Sequence, residues 1–411
     1  MSAAPTLPPA LGRNPAAGRG LASGIAATSA LGYGPDGLGG ADRQPDAPVE
    51  RLAVSAYTVP TDRPESDGTK AWDSTTLVLV EATAGGETGI GYAYAHAAAA
   101  HVAADLLAHA VRGLDALDVG AAWHAMHHAV RNVGRDGIAA SAIAAVDAAL
   151  WDLKARLLGQ PLVVVLDAVR RRVPVYGSGG FTSYTDDELR EQFEAWQGDG
   201  ITMFKMKVGR EPERDLARVR VAREAIGDEA GLMVDANGAY TRKQALYFAY
   251  AFAHECGATW FEEPVSSDDL GGLRLLRDQG PPGLEIAAGE YGYSLFHFRR
   301  LLDAGAVDCL QADATRCAGP SGFLRVAALC EAHPLDLSAH TAPSLHGPLG
   351  CAVVPFRHVE YFHDHVRIES LLFDGALVQQ DGFLEPDRTV PGNRLALRRA
   401  DADPYCVFRS S

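Results

Sequence analysis

The chain has 411 residues, 47% of them hydrophobic, enough for more than one buried core. Its 37 basic residues against 52 acidic ones leave a net charge of −15 with no run of Lys or Arg, which argues against nucleic-acid binding. No apolar stretch approaches the ~18 residues of a membrane span, and six cysteines without CxxC spacing read as reduced core residues.

Residues 1–45 are rich in Ala, Gly and Pro and lack the basic and apolar regions of a secretory signal. They are expected to be a disordered extension, and the chain is expected to be cytoplasmic. Residues 46–168 read as an α+β domain. Apolar runs at 52–59, 75–81 and 89–94, with a turn at Gly85-Gly86, predict a small antiparallel sheet. Helical patterns follow at 97–112, 119–131 and 138–158, the last ending at Gly159 with Pro161 beyond it. From residue 169 to 370 strand-like runs alternate with helix-length segments: VPVYGSGG, MFKMKV, GLMVDAN, ATWFEEP, LEIAAGE, DCLQAD, LDLSAH and HVEYF. Eight such runs are enough to close a (β/α) barrel. Residues 371–411 read as irregular structure with short strands.

Most of these runs end in a charged group. Lys205 and Lys207 are followed by Asp235, Glu262, Glu290, Asp313, His340 and Glu360, at gaps from Lys207 of 28, 27, 28, 23, 27 and 20 residues. One βαβ step takes about 30 residues, so successive strands each deliver a charge to the C-terminal mouth, where barrels carry their chemistry. Asp235, Glu262 and Glu290 are hard oxygen ligands of the kind Mg²⁺ takes, with no Cys or His at the same step to suggest zinc. Asn237 lies two residues past Asp235, so alternation would point it into the same mouth, as a substrate or ligand-orienting contact. Lys205 and Lys207 share a strand face. Mutual repulsion and burial would lower their pKa toward general-base range. Asp313 one step before His340 suits a carboxylate that fixes the tautomer of an imidazole base.

In order and spacing these eight residues resemble the mandelate racemase subgroup of the enolase superfamily, over roughly residues 49–400. The resemblance implies a modified TIM-type (β/α)7β barrel with an N-terminal α+β capping domain, completed by the C-terminal tail. It implies one Mg²⁺ per site, with Mn²⁺ able to substitute, on Asp235, Glu262 (the first Glu of the pair) and Glu290. It further implies Lys207 as base, Lys205 lowering its pKa and contacting the substrate carboxylate, and Glu360 as hydrogen-bond partner of an enolate oxygen, which requires its protonated form. Self-association into a homo-oligomer is expected on the same ground.

The expected partner is a small-molecule carboxylate that loses its α-proton to Lys207 or His340. In the related family the capping domain lines the substrate end. Here the segment Thr61–Thr69, with Arg63 and Glu65, together with Trp72 and Tyr92, offers polar groups suited to a polyhydroxylated chain. The leading expectation is therefore a sugar-acid dehydratase giving a 2-keto-3-deoxy acid. The alternatives are a racemase or epimerase of a 2-hydroxy acid, and a non-catalytic metabolite-binding barrel.

Overall fold

The computed structural model describes residues 46–410; the expected extension 1–45 lies outside them. Three strands, β1 (Arg51–Ser66), β2 (Ala71–Ala84) and β3 (Glu87–Tyr94), form an antiparallel meander. The helix Ile138–Leu157 covers one face of it. Its alanine-rich sequence is buried almost throughout, because it lies between the sheet and the next domain. Val54, Val78 and Val80 meet Ile143, Val146 and Leu150 in a core that belongs to this domain.

β1 and β2 both run past their predicted ends. The segment predicted as a loop continues as strand to Ser66, and pairing resumes at Glu65↔Trp72 after an irregularity beyond Pro60. Tertiary contact explains the difference. Ser66 accepts from the Thr182 backbone N–H at 2.8 Å, the Ser66 and Thr182 hydroxyls lie 2.6 Å apart, and the Ser183 hydroxyl donates to the Pro64 carbonyl at 2.7 Å. These bonds hold a proline-containing stretch extended where local sequence favours a turn.

The second domain is a closed barrel of eight parallel strands in chain order. They are β4 (Val173–Gly179), β5 (Met203–Lys207), β6 (Gly231–Asp235), β7 (Ala258–Glu262), β8 (Glu285–Ala288), β9 (Cys309–Ala312), β10 (Asp336–Ala339) and β11 (Phe356–Phe362). Closure comes from pairing of β11 with β4, from Val359↔Val175 to Phe362↔Ser178. Helices cross over between successive strands, and an eighth, His363–Leu372, follows β11. Thr185 and Thr241 start two of the crossovers with reciprocal capping boxes to Glu188 and Gln244. Below the mouth, Tyr176, Met233, Trp260, Ala287 and Cys309 fill the interior, so the barrel has a solid floor.

The tail divides its contacts. In it β12 (Phe373–Asp374) pairs with β14 (Ala396–Leu397), and β13 (Phe383–Leu384) runs antiparallel to the start of β4. Of the tail's strands, β15 (Cys406–Arg409) pairs with the capping sheet, adding to β1 as its fourth strand. Asp147 joins the domains from inside the capping helix, accepting from the Ser321 backbone N–H and hydroxyl at 2.8 Å each. All six cysteines are free, five of them buried. No helix among the described residues is long and apolar enough to cross a membrane.

The β1–β2 hairpin ends directly on the barrel mouth. A Cβ on Gly68 would lie 2.5 Å from the Ala236 carbonyl oxygen and 2.6 Å from that of Val208, just past the ends of β6 and β5. Backbone atoms on two strands cannot give way cheaply. Gly68→Val is therefore expected to lift the hairpin and destabilise the fold by about 1–3 kcal/mol, read by chemical denaturation. Unchanged stability together with unchanged protease resistance of the hairpin would contradict this packing.

Candidate active site

Strand register assembles the site. Lys207 pairs with Asp235 across β5 and β6, and Asp235 with Glu262 across β6 and β7, so the three form one row around the mouth. Lys205, two residues earlier, points to the same side one layer deeper. Glu290 lies two residues past β8, reached through Gly289 at φ +135°, where a Cβ would sit 2.1 Å from the Gln311 carbonyl oxygen. Asp313 and His340 each follow the last residue of their strand, whereas Glu360 lies within β11.

These side chains form one buried network. The Lys205 ammonium is fully buried, donates to Glu262 at 2.7 Å, and lies 2.8 Å from Glu360 and 3.3 Å from Asp235. Lys207 Nζ lies 2.5 Å from Asp235 Oδ2. His340 Nδ1 is 2.8 Å from Asp313 Oδ2, while its Nε2 faces Glu290 at 3.4 Å and Glu360 at 3.7 Å. Trp260 Nε1 donates to Glu262 Oε2 at 3.1 Å from below.

Asp235, Glu262 and Glu290 each offer an oxygen, all within 4.8 Å of one another, and all three residues are buried. Glu290 Oε2 is buried without a hydrogen bond. Three anionic oxygens converging in a dry site repel one another unless a cation lies between them. The residues thus fit Mg²⁺ or Mn²⁺, with positions left for a ligand to fill.

The electrostatics differ from the sequence expectation in two places. Burial lowers the Lys207 pKa, as Lys205 does, but Asp235 together with Glu360 and Glu290 outweighs them and raises it above the ordinary lysine value. Glu360 was expected to be a protonated donor. Burial does push its carboxyl up, but Lys205, His340 and Lys207 outweigh burial and hold it at about 2. Its surroundings agree: Ser178 Oγ donates to it at 2.6 Å and the Thr341 backbone N–H at 3.2 Å, so it is arranged as an acceptor. Burial likewise raises Asp313, but the hydrogen bond and charge of His340 hold it well below the carboxylate range.

The remaining candidates separate. Asn237 is not on the strand: it lies past β6 at φ +45°, its backbone N–H donating to Asp235 Oδ1 at 2.9 Å and its side-chain oxygen buried without a partner. Lys205, expected to touch substrate, lies fully buried beneath the carboxylates and donates to Glu262. Glu65 and Trp72 meet at the hairpin, Trp72 Nε1 donating to Glu65 Oε2 at 2.7 Å. Trp72 packs there with Phe181, Tyr184 and Phe362, from the ends of β4 and β11. Arg63 instead faces solvent, paired with Glu188 at 3.2 Å. Tyr92 is no mouth residue in this structure. It is buried between Tyr94 and Phe373, its hydroxyl donating to Glu369 at 2.6 Å. Strand alternation had turned it toward the helix behind the barrel.

Sequence reasoning missed Arg316. Its Nη1 donates to the Glu290 carboxylate and carbonyl oxygens, both at 3.2 Å, and its Nε lies 3.6 Å from Asp313. Its position three residues past Asp313, on the turn leaving β9, was the available signal.

Comparison with known proteins agrees with this geometry. Residues 52–166 match the mandelate racemase/muconate lactonizing enzyme N-terminal domain, and residues 188–399 the enolase C-terminal domain-like family. A 3,6-anhydro-alpha-L-galactonate cycloisomerase of Streptomyces coelicolor is 32% identical over 85% of this chain and 97% of its own. L-talarate/galactarate dehydratase of Salmonella typhimurium is 31% identical over 81% and 85% respectively. A variant of that dehydratase, solved with Mg and L-glucarate, superposes with a TM-score of 0.82 at 28% identity, over 89% of this chain and 93% of the other. A mandelate racemase/muconate lactonizing enzyme-like protein from Rubrobacter xylanophilus shares 56% identity and a TM-score of 0.86, over 88% of this chain and all of the other. The two-domain match and the barrel with its capping domain make this chain a member of the mandelate racemase/muconate lactonizing enzyme family of the enolase superfamily.

Proposed function

We propose that the chain is a Mg²⁺-dependent sugar-acid dehydratase that removes water from a 2,3-dihydroxy acid to give a 2-keto-3-deoxy acid. One observation carries the proposal. Three buried carboxylates suited to a cation are flanked by Lys207 on β5 and by the Asp313–His340 pair on β9 and β10. The Salmonella relative, by name a dehydratase of such acids and solved with Mg and a sugar acid, supports the same reading.

Asp235, Glu262 and Glu290 would hold the ion, which when bound supplies Lewis-acid stabilisation of charge developing on the substrate carboxylate. The residues do the rest. Lys207 Nζ, in its neutral amine form, takes the α-proton, and the electron pair of the broken C–H bond passes into the enolate. Asp313 accepts His340 Nδ1–H and fixes the tautomer, leaving Nε2 to carry the proton given to the departing β-hydroxyl. Lys205 and Arg316 hold Glu262, Glu360 and Glu290 in place. Glu65 and Trp72 lie at the hairpin, where the polyol end of the substrate would meet the capping domain. The reading includes a cytoplasmic enzyme, consistent with free cysteines. It also includes self-association, for which Tyr247 and Tyr250 offer exposed apolar surface on one helix.

A second reading, racemisation or epimerisation of a 2-hydroxy acid, is favoured by having two candidate bases rather than one. The deciding experiment is a panel of aldonic and aldaric acids assayed with Mg²⁺ for keto-acid formation. At least one member should give a 2-keto-3-deoxy product, and chelation should stop it. No keto product from the panel, with a simple 2-hydroxy acid racemised efficiently, would replace the dehydratase by the racemase.

A further inference from the structure

A second convergence of ligand-type side chains lies where the capping hairpin meets the barrel. Asp62 and Glu65 on β1 and His363, directly after β11, each present one donor atom, all within 4.8 Å of one another. His363 Nε2 lies 3.0 and 3.2 Å from the two Asp62 carboxylate oxygens. Glu65 is 1% exposed. Trp72 occupies its Oε2, and its Oε1 is buried with no partner. A buried carboxyl oxygen left without a hydrogen-bond partner is unfavourable, so its retention beside a carboxylate and an imidazole points to a ligand.

We propose that Asp62, Glu65 and His363 form a second cation site, built for Zn²⁺ and independent of Asp235, Glu262 and Glu290. The donor chemistry distinguishes the two. Three carboxylates suit Mg²⁺, whereas one imidazole nitrogen with two carboxylates is a set that zinc takes, leaving a fourth position for water. The features around the site fit that role. The Trp72 N–H orients Glu65, as outer hydrogen bonds commonly orient metal ligands. Asp62 is exposed, which gives the ion a path in. Loading would replace the His363 Nε2···Asp62 contact by bonds from both groups to the ion, the ring keeping its one proton on Nδ1. Because two ligands come from the hairpin and one from the end of β11, the ion would pin the cap to the barrel beside the mouth.

The test is calorimetric titration of the chelator-treated full chain with Zn²⁺ alone. The Asp235→Asn/Glu262→Gln double variant serves as background, so that the carboxylate row no longer competes. One equivalent of Zn²⁺ should still bind. Adding His363→Gln should weaken that binding on the order of 100-fold, and adding Asp62→Asn should abolish it. If the added substitutions unfold the chain, the background variant loaded with Co²⁺ should still show the visible bands of a nitrogen- and oxygen-ligated ion. Absence of Zn²⁺ binding in the background, unchanged affinity after His363→Gln, or no Co²⁺ bands would each overturn the proposal. None of these outcomes depends on whether the dehydratase reading holds.

Discussion

Replacing Asp235, Glu262 or Glu290 by its amide is expected to lower turnover on the order of 10³-fold or more while leaving the barrel folded. The loss follows from the role proposed for the row. Each amide removes one anionic oxygen from a three-oxygen set and with it the stabilisation of a doubly charged intermediate. The fold should survive for a separate reason. Burial, and then Asp235, push Glu262 well above the ordinary carboxyl value, so without a cation a neutral group at that position relieves repulsion. Asn and Gln also keep an oxygen for Lys205 and Lys207. The pair of measurements is steady-state turnover and chemical denaturation in chelator. An amide variant with wild-type turnover, or full wild-type activity after exhaustive chelation, would remove the metal from the mechanism.

Lys207→Ala and His340→Asn are each expected to lower dehydration by 10²–10⁴-fold, with opposite stereochemical signatures. β5 and β10 stand three strands apart around the closed barrel, separated by β4 and β11. Bases on these two strands would approach a planar enolate from different faces. Incubation with a non-eliminating ligand in deuterated solvent reads this directly. Lys207→Ala should keep exchange of the proton on the His340 side, and His340→Asn the converse. Loss of exchange in both variants for every ligand, or in neither, is incompatible with two-sided proton transfer. Asp313 belongs to the same test, because its bond to His340 Nδ1 sets which ring nitrogen faces the substrate.

Much of this site was legible because its residues obey two simple periods. Strand alternation put Lys205 and Lys207 on one face, and the βα repeat delivered Asp235, Glu262, Asp313 and His340 to neighbouring strand ends. Those periods are local, so one sequence carries them. What escaped was set by contacts distant in sequence. Arg316 enters the network from a turn, where no periodicity applies. Tyr92 has the alternation of a half-exposed strand, but a helix more than 270 residues later, carrying Glu369, covers it. The charge states of Lys207 and Glu360 followed the same rule. Each depends on the sum of several strands' charges, which no pair of neighbours in the chain discloses. The hairpin outran its prediction because Thr182 and Ser183 hold it extended.

The pairing of β15 with β1 and of β11 with β4 fixes an order of events during synthesis. At ribosomal speeds of 5–20 residues per second, Val175 waits roughly 10–40 s for its partner Val359, and Ser55 roughly 20–70 s for Arg409. Through that interval both sheets have an open edge, the β1 edge the longer of the two. A nascent chain of this kind needs either a chaperone to shield those edges or an early helix to cover them. Loss of the last strand alone would leave the mature capping sheet open to pairing with another copy.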